Sequence, residues 1–158
     1  MSANEVYLGN PNLKKANTHI EFSQDNVLEF LKCKDDPIYF TRKYIKIVSL
    51  DEGLVPFNMY DFQEKLIRRF HENRFNICKM PRQTGKSTTC ISYLLHYAVF
   101  NDNVNIAVLA NKASTARDLL GRLQLAYENL PNWMQQGIIS WNKGSLELEN
   151  GSKISANS

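Results

Sequence analysis

Long apolar runs and clustered cysteines are both missing from this sequence of 158 residues. No stretch approaches the length of a membrane span, and residues 1–5 lack the basic and apolar regions of a signal peptide. The three cysteines, Cys33, Cys78 and Cys90, are scattered, without the spacing of a metal site or a disulfide framework. We therefore expect one globular cytosolic domain with reduced cysteines and no membrane contact.

A large charge of one sign is also absent, because the formal net charge is only +3. The surplus is nevertheless local, since the segment from Tyr60 to Cys90 has seven basic residues and three acidic ones. An anionic ligand is the simplest explanation, and a nucleic-acid surface or a solvated helix face are the alternatives. The basic residues are Lys65, Arg68, Arg69, Arg74, Lys79, Arg82 and Lys86.

A glycine is missing where a phosphate-binding loop normally begins. Residues 79–88 read KMPRQTGKST, so Met80 occupies the first glycine position of the pattern G-x-x-x-x-G-K-[ST]. The rest of the pattern is intact. N–H groups around Gly85 can surround phosphate oxygens, the Lys86 ammonium can reach the β- and γ-phosphates, and the Ser87 hydroxyl can bind Mg²⁺. A chance Gly-Lys-Ser sequence before a helix is the alternative.

The residues around this motif favour the order strand, loop, helix. Residues 75–80 read FNICKM and predict a short strand, and an apolar helical pattern begins directly after the loop. The phosphates would then lie at a helix N-terminus. Arg82, within the loop, is a candidate arginine finger or a structural or solvated residue, and Gln83 could contact phosphate or simply close the loop.

The N-terminal part of the chain predicts an arm followed by helices. Residues 1–22 are polar and lack clear periodicity, which favours an arm. Ser23 can cap a helix over about 24–34, and Asp36-Pro37 begins a second helical pattern that carries apolar residues as far as Ile47. Another helix begins near Asp61.

The C-terminal part predicts a βαβ unit and a hairpin. Residues 104–110 are nearly continuously apolar, which is typical of a strand buried on both faces of a parallel sheet. Residues 114–130 have a helical pattern that Pro131 ends. Alternation over 145–149 before Asn150-Gly151 predicts a β-hairpin.

A second missing part is the carboxylate that a nucleotide hydrolase needs. A Walker B strand, four apolar residues followed by Asp or Asp-Glu, would help to hold Mg²⁺ and activate water. No acidic residue after Ser87 follows such a run, so the sequence encodes half of an ATPase site. Upstream of the loop, Gln63 can read adenine through its paired donor and acceptor, as in the Q motif of helicase-like ATPases, or it is an ordinary surface glutamine.

With these motifs, the chain resembles the large terminase subunit, the DNA-packaging motor ATPase of T-even-type tailed bacteriophages. The resemblance covers most of the chain, and in that family an Arg-Gln-x-Gly-Lys-Ser/Thr loop without a leading glycine is usual, so Met80 fits. The resemblance rests on residues 9–17, 61–63, 82–87, 108–112 and 141–152.

The resemblance implies an α/β fold of the P-loop NTPase type (ASCE, RecA-like), with a mostly parallel sheet that is incomplete at the C-terminus. A helical lead-in over 23–58 would precede a nucleotide-binding core over 59–158, and both would form a partial ATPase domain, 23–158, after the arm. Walker B, a coupling motif and an RNase H-like nuclease domain would be absent. The chain would be either a fragment or the first half of an interrupted gene.

Site residues also follow from the resemblance. Lys86 and Ser87 would bind ATP and Mg²⁺, and Arg82 would sense or stabilise the γ-phosphate, so Arg82 and Lys86 are the catalytic candidates. The adenine motif would map to Phe62, where the family often has Tyr, and to Gln63, while Tyr60 stands where Arg is common. The expected nucleotide-binding residues are Phe62, Gln63, Arg82, Gln83, Thr84, Gly85, Lys86, Ser87 and Thr88.

The implied function is ATP-driven translocation of double-stranded DNA into a prohead. The complete enzyme would form a homo-oligomeric ring in the cytoplasm of the infected bacterial host, and would contact the portal protein and the small terminase subunit. This chain alone is expected to bind ATP with little or no turnover. A helicase-like DNA translocase, a nucleotide-binding module that does not hydrolyse, and a structural protein with a vestigial P-loop are the alternatives.

Overall fold

A computed structural model describes residues 5–49 and 51–158, which contain five helices and eight strands. The helices are α1 Gln24–Asp35, α2 Pro37–Tyr44, α3 Asp61–Glu72, α4 Lys86–Phe100 and α5 Ala113–Glu128. The strands are β1 Val6–Tyr7, β2 Asn10–Lys14, β3 Lys46–Ser49, β4 Gly53–Pro56, β5 Asn105–Leu109, β6 Ile138–Trp141, β7 Ser145–Leu148 and β8 Lys153–Asn157. None of the described helices is long and apolar enough to cross a bilayer.

The first two helices begin where their capping residues predict. The Ser23 hydroxyl and the Asp36 carboxylate each accept hydrogen bonds from N–H groups in the first turn of the following helix. The predicted extension of the second helix to Ile47 is wrong, because α2 ends at Tyr44 and Ile47 lies in β3. Ile45 and Ile47 are two residues apart, which is the period of a strand and places both on one face.

The sheet topology shows that the expected fold class is wrong. In the four-stranded sheet, the order is β5-β8-β7-β6, and among these described strands only β5 and β8 run parallel. The pairs β1–β2 and β3–β4 form two separate antiparallel sheets. A P-loop NTPase fold with a mostly parallel sheet is therefore not what this chain forms. Short turns join β6, β7 and β8, and strands joined by short turns run antiparallel.

The predicted hairpin at the C-terminal part of the chain is confirmed. Strand β7 pairs antiparallel with β8, so that Leu146 lies opposite Ile154. The turn between the strands contains Asn150-Gly151, and Gly151 has a φ of +80°, a value that glycine adopts without strain. This hairpin is what places β8 beside β5.

Two predictions about the strands next to α4 are wrong. Residues 75–80 form no strand, and Phe75 and Ile77 are 83% and 101% exposed. Strand β5 exists as predicted but lies at an edge, with Leu109 70% exposed, so it is not buried on both faces. A strand requires a hydrogen-bonded neighbour, and among the described residues none pairs with 75–80.

The core lies where α4 and α5 pack on one another and α5 packs on β5 and β8. The N-terminal helices join this core through His96 of α4, whose ring nitrogen Nε2 lies 2.8 Å from the carbonyl oxygen of Cys33 in α1. Within the predicted arm, Leu13 is buried and Lys14 pairs with Glu149 at 3.5 Å, while residues 1–4 lie outside the described residues. Helix α4 begins at the candidate phosphate loop, and the elements that pack on it therefore fix its position.

Candidate functional site

The candidate site is the turn that joins residues 73–80 to helix α4. Gln83 and Gly85 have φ values of +61° and +73°, so two residues of this turn adopt the left-handed conformation. The Pro81 carbonyl oxygen accepts hydrogen bonds from the Thr84 hydroxyl at 3.0 Å and from the Lys86 ammonium at 3.2 Å. These contacts hold the turn closed and keep the Lys86 ammonium beside it.

The start of α4 is electrically suited to an anion. Gly85 is the N-cap, and within the described residues no side chain caps this end. The first N–H groups of a helix lack intrahelical partners and carry the positive end of the helix dipole. The sequence has no acidic residue between Glu72 and Asp102 to oppose this field. The basic residues in that interval are Arg74, Lys79, Arg82 and Lys86.

Gln63 connects the first turn of α3 to the phosphate loop. Its side chain is buried, its Oε1 accepts the Tyr60 N–H at 2.9 Å, and its Nε2 donates to the Thr84 carbonyl oxygen at 3.1 Å. A Cβ atom at residue 85 would overlap this amide nitrogen. The positive φ therefore favours glycine at residue 85, and a Cβ there would also displace the Gln63 amide from its contact with Thr84.

A cleft of about 500 Å³ opens beside the loop, and we call it the aromatic cleft. The rings of Tyr60 and Phe62 stack at its edge, with centroids 5.7 Å apart and planes inclined by 9°. Tyr60 and Phe62 are 69% and 42% exposed, so both rings are accessible from solvent although they stack on one another. The lining residues are Ile47, Phe57, Asn58, Tyr60, Phe62, Gln63, Gln83, Thr84, Gly85 and Thr88.

The structure brings most, but not all, of the expected nucleotide-binding residues to this cleft. Phe62, Gln63, Gln83, Thr84, Gly85 and Thr88 line it. Among the described residues, Arg82, Lys86 and Ser87 lie in the loop or in the first turn of α4 but not in the cleft lining. Arg82 is exposed, and Lys86 and Ser87 are half-buried. The expected residues therefore fall into two groups, one that lines the cleft and one that lies beside it in the loop and the first turn of α4.

Sequence reasoning missed part of the cleft. Phe57 is buried in its wall, and Ile47 of β3 reaches it from a part of the chain that was predicted to be helical. Phe57 lies six positions before Gln63 and close to Tyr60 and Phe62, and this aromatic spacing was a usable signal. Ile47 had none, because its place depends on how the β3–β4 hairpin packs.

Metal-binding groups are sparse near the loop. Within residues 5–49 and 51–158, no three His, Cys, Asp or Glu side chains cluster in a way that could hold a metal ion. The Ser87 hydroxyl, at the first turn of α4, is the oxygen that the motif assigns to Mg²⁺. A single hydroxyl suits Mg²⁺ that is bound mainly by phosphate oxygens and water. The assignment of Ser87 stays a prediction.

No family model matches the chain. The resemblance to terminase large subunits therefore stays a prediction from the sequence.

Replacing Gly85 with alanine is expected to destabilise the chain by about 1–3 kcal/mol, because the new Cβ would meet Gln63 and require a positive φ. Gly121→Ala is a matched control, since nothing lies within 4 Å of a Cβ at that exposed helical position. It should stabilise the chain by about 0.5–1 kcal/mol. Urea unfolding of both variants measures the difference, and equal stability of Gly85→Ala and the wild type would contradict the assigned contact.

Proposed function

We propose that this chain is the ATP-binding part of a viral DNA-packaging motor of the terminase type. One observation carries the proposal: a turn with two left-handed residues leads into an uncapped helix, with the Lys86 ammonium beside the turn and the aromatic cleft next to it. Nucleotide binding is supported by this geometry. The motor assignment is supported by the sequence segments that resemble terminase.

The phosphates of ATP would lie over the turn and the start of α4. The Lys86 ammonium, which now donates to the Pro81 carbonyl, would donate instead to phosphate oxygens, because an ionised acceptor forms the stronger hydrogen bond. Ser87 would hold Mg²⁺, which neutralises phosphate charge when bound. The base would lie in the cleft against the exposed face of Phe62.

Hydrolysis requires more than this chain offers at the loop. A carboxylate that orients the attacking water is a recurring part of such sites, and no acidic residue after Ser87 follows the apolar run that would supply it. Turnover is therefore proposed for the complete enzyme, in which Arg82 stabilises the γ-phosphate. That enzyme would act on double-stranded DNA as a homo-oligomeric ring in the host cytoplasm, with the portal protein and the small terminase subunit as partners.

A nucleotide-binding module that does not hydrolyse is the second candidate. The same lack of a Walker B carboxylate after Ser87 favours it. The two candidates agree on binding and differ on turnover by the complete enzyme, so an ATPase assay on that enzyme separates them.

Replacing Arg82 with alanine is expected to spare binding and to remove turnover. The guanidinium is exposed and lies outside the cleft lining, so the ATP affinity of this chain should change by less than about threefold. In the complete enzyme, kcat should fall on the order of 10³-fold if Arg82 is the finger. Calorimetric titration with ATP and Mg²⁺ measures the first effect, with Arg74→Ala as the control. Absence of ATP binding by the wild-type chain would refute the proposed function.

A further inference from the structure

Both polar ends of the Gln63 side chain are already engaged. Gln63 is 3% exposed, its Oε1 accepts from the Tyr60 N–H, and its Nε2 donates to the Thr84 carbonyl oxygen. Reading adenine would require the donor and the acceptor of one amide to face the base together. Turning the amide toward the cleft would leave the Tyr60 N–H and the Thr84 carbonyl without these partners, which is unfavourable.

The contact with Thr84 has a direct consequence for the phosphate loop. Thr84 and Gly85 are consecutive, and the Gln63 amide nitrogen binds the carbonyl of the first and fills the space beside the second. The Thr84 hydroxyl in turn donates to Pro81, which also accepts from Lys86. These contacts connect α3 to the Lys86 ammonium, which would meet the phosphates, so a shift of α3 would also shift the loop.

The two other side-chain amides of the cleft, those of Asn58 and Gln83, are poorly suited to select a base. Asn58 and Gln83 are both exposed, so a hydrogen bond from either competes with water. Stacking is different, because the Phe62 ring lines the cleft, is 42% exposed, and would accept any base.

We propose that Gln63 is a positioning residue for the phosphate loop, and that the aromatic cleft holds the base by stacking, so that the site takes purine nucleoside triphosphates with little discrimination between adenine and guanine. This inference rests on the proposed nucleotide binding and sharpens it. It replaces the adenine-reading role expected for Gln63.

The test compares three probes, ATP, GTP and inorganic triphosphate, by calorimetric titration of the full chain. Wild-type affinities for ATP and GTP should agree within about threefold. Gln63→Met keeps the volume and loses both hydrogen bonds, and should weaken binding of all three probes by the same factor, roughly tenfold. Gln63→Glu keeps the acceptor for the Tyr60 N–H and loses the donor to Thr84, so it should also weaken all three. Its added negative charge repels the phosphates as well, so the weakening counts for positioning where it persists at high salt, which screens that repulsion.

Phe62→Ala serves as the matched variant on the base side of the cleft. It should weaken ATP and GTP binding by about tenfold and leave inorganic triphosphate unchanged, because stacking contributes about 1–3 kcal/mol per base. All titrations are run where circular dichroism shows the native signal. An altered affinity at an unaltered native signal separates positioning from loss of fold, and Gln63→Glu decides the question if Gln63→Met does not fold.

Three results would overturn the inference. A wild-type preference for ATP over GTP of more than about tenfold that disappears in the Gln63 variants would make Gln63 a base reader. Unchanged triphosphate binding in both folded variants would remove its role in the loop. Failure of the wild type to bind any probe would refute the proposed function itself, and this outcome is distinct because the first two require a binding wild type.

Discussion

Replacing Lys86 with alanine is expected to weaken ATP binding to this chain by about 100-fold or more. The ammonium lies beside the turn, where it donates to the Pro81 carbonyl oxygen at 3.2 Å. Hydrogen bonds to charged groups contribute about 1.5–3 kcal/mol each, and a loss of about 3 kcal/mol corresponds to more than 100-fold in affinity. Calorimetric titration with ATP and Mg²⁺ measures the change.

Lys79→Ala is the matched control for this prediction. Lys79 belongs to the same basic stretch and is exposed, so its removal changes the net charge equally without touching the loop contacts. Its effect should stay within about threefold and should shrink as salt is added, since it acts only through the screened field. An ATP affinity in Lys86→Ala equal to that of the wild type would place the phosphates elsewhere.

The second large effect concerns acid stability and His96. The chain is expected to lose about 3 kcal/mol of unfolding free energy as the pH falls from about 6.5 to about 4. Burial lowers the pKa of His96 from 6.5 to about 4, and hydrogen bonding by the Cys33 carbonyl opposes this shift only in part. Each unit of difference in pKa between the folded and unfolded states contributes about 1.4 kcal/mol.

The surroundings of His96 explain why its charged form is unfavourable. The ring is 2% exposed and packs near Phe40 and Phe100, with centroids 5.4 and 4.8 Å away. Because Nε2 faces the Cys33 carbonyl oxygen, it carries the proton, and among the described residues Nδ1 has no hydrogen-bond partner. A second proton on Nδ1 would therefore be a buried donor without an acceptor. His71 is close as well, with ring centroids 6.3 Å apart, and its charge would add repulsion.

The direction of the pH effect follows from proton uptake. Below about pH 6.5 the unfolded chain binds a proton at residue 96 that the folded chain does not bind until about pH 4. The stability is thus complete above pH 6.5 and is lost as the pH falls through this interval. Urea unfolding at several pH values measures the slope. His96→Gln should flatten the dependence of the unfolding free energy on pH. His71→Gln, at an exposed neighbouring ring, should largely preserve this dependence. Equal slopes for the wild type and His96→Gln would contradict the assignment of the pH effect to His96.

Local sequence patterns predicted the parts of the molecule that depend on near neighbours. Ser23 and Asp36 cap their helices through side-chain oxygens, and Asn150-Gly151 turns β7 into β8 as the dipeptide predicts. The start of α4 at Lys86 also follows the loop motif. Each of these structures is decided by interactions within a few residues, so the sequence alone is sufficient.

Predictions that required a distant partner were wrong at specific residues. The β-prone run 75–80 needs another strand for its backbone, and no described strand pairs with it. Strand β5 was expected to be buried on both faces of a parallel sheet, yet it lies at an edge beside β8 and leaves Leu109 exposed. Hydrophobicity and β-branching indicate that a segment can form a strand. They do not indicate which strand it pairs with, or whether it has a neighbouring strand on one side or on both.

The candidate site also has a part that depends on neighbouring residues and a part that depends on distant ones. The sequence by itself determined which groups stand together at the loop, because Gly85, Lys86 and Ser87 are adjacent and open a helix. Only the tertiary structure decided which side chains lie beside the loop. Gln63 contacts Thr84, which is 21 positions away in the sequence, and Ile47 reaches the cleft from the β3–β4 sheet. Adjacent residues share a geometry through covalent bonds and short turns, whereas contacts between distant segments depend on which elements pack together when the core forms.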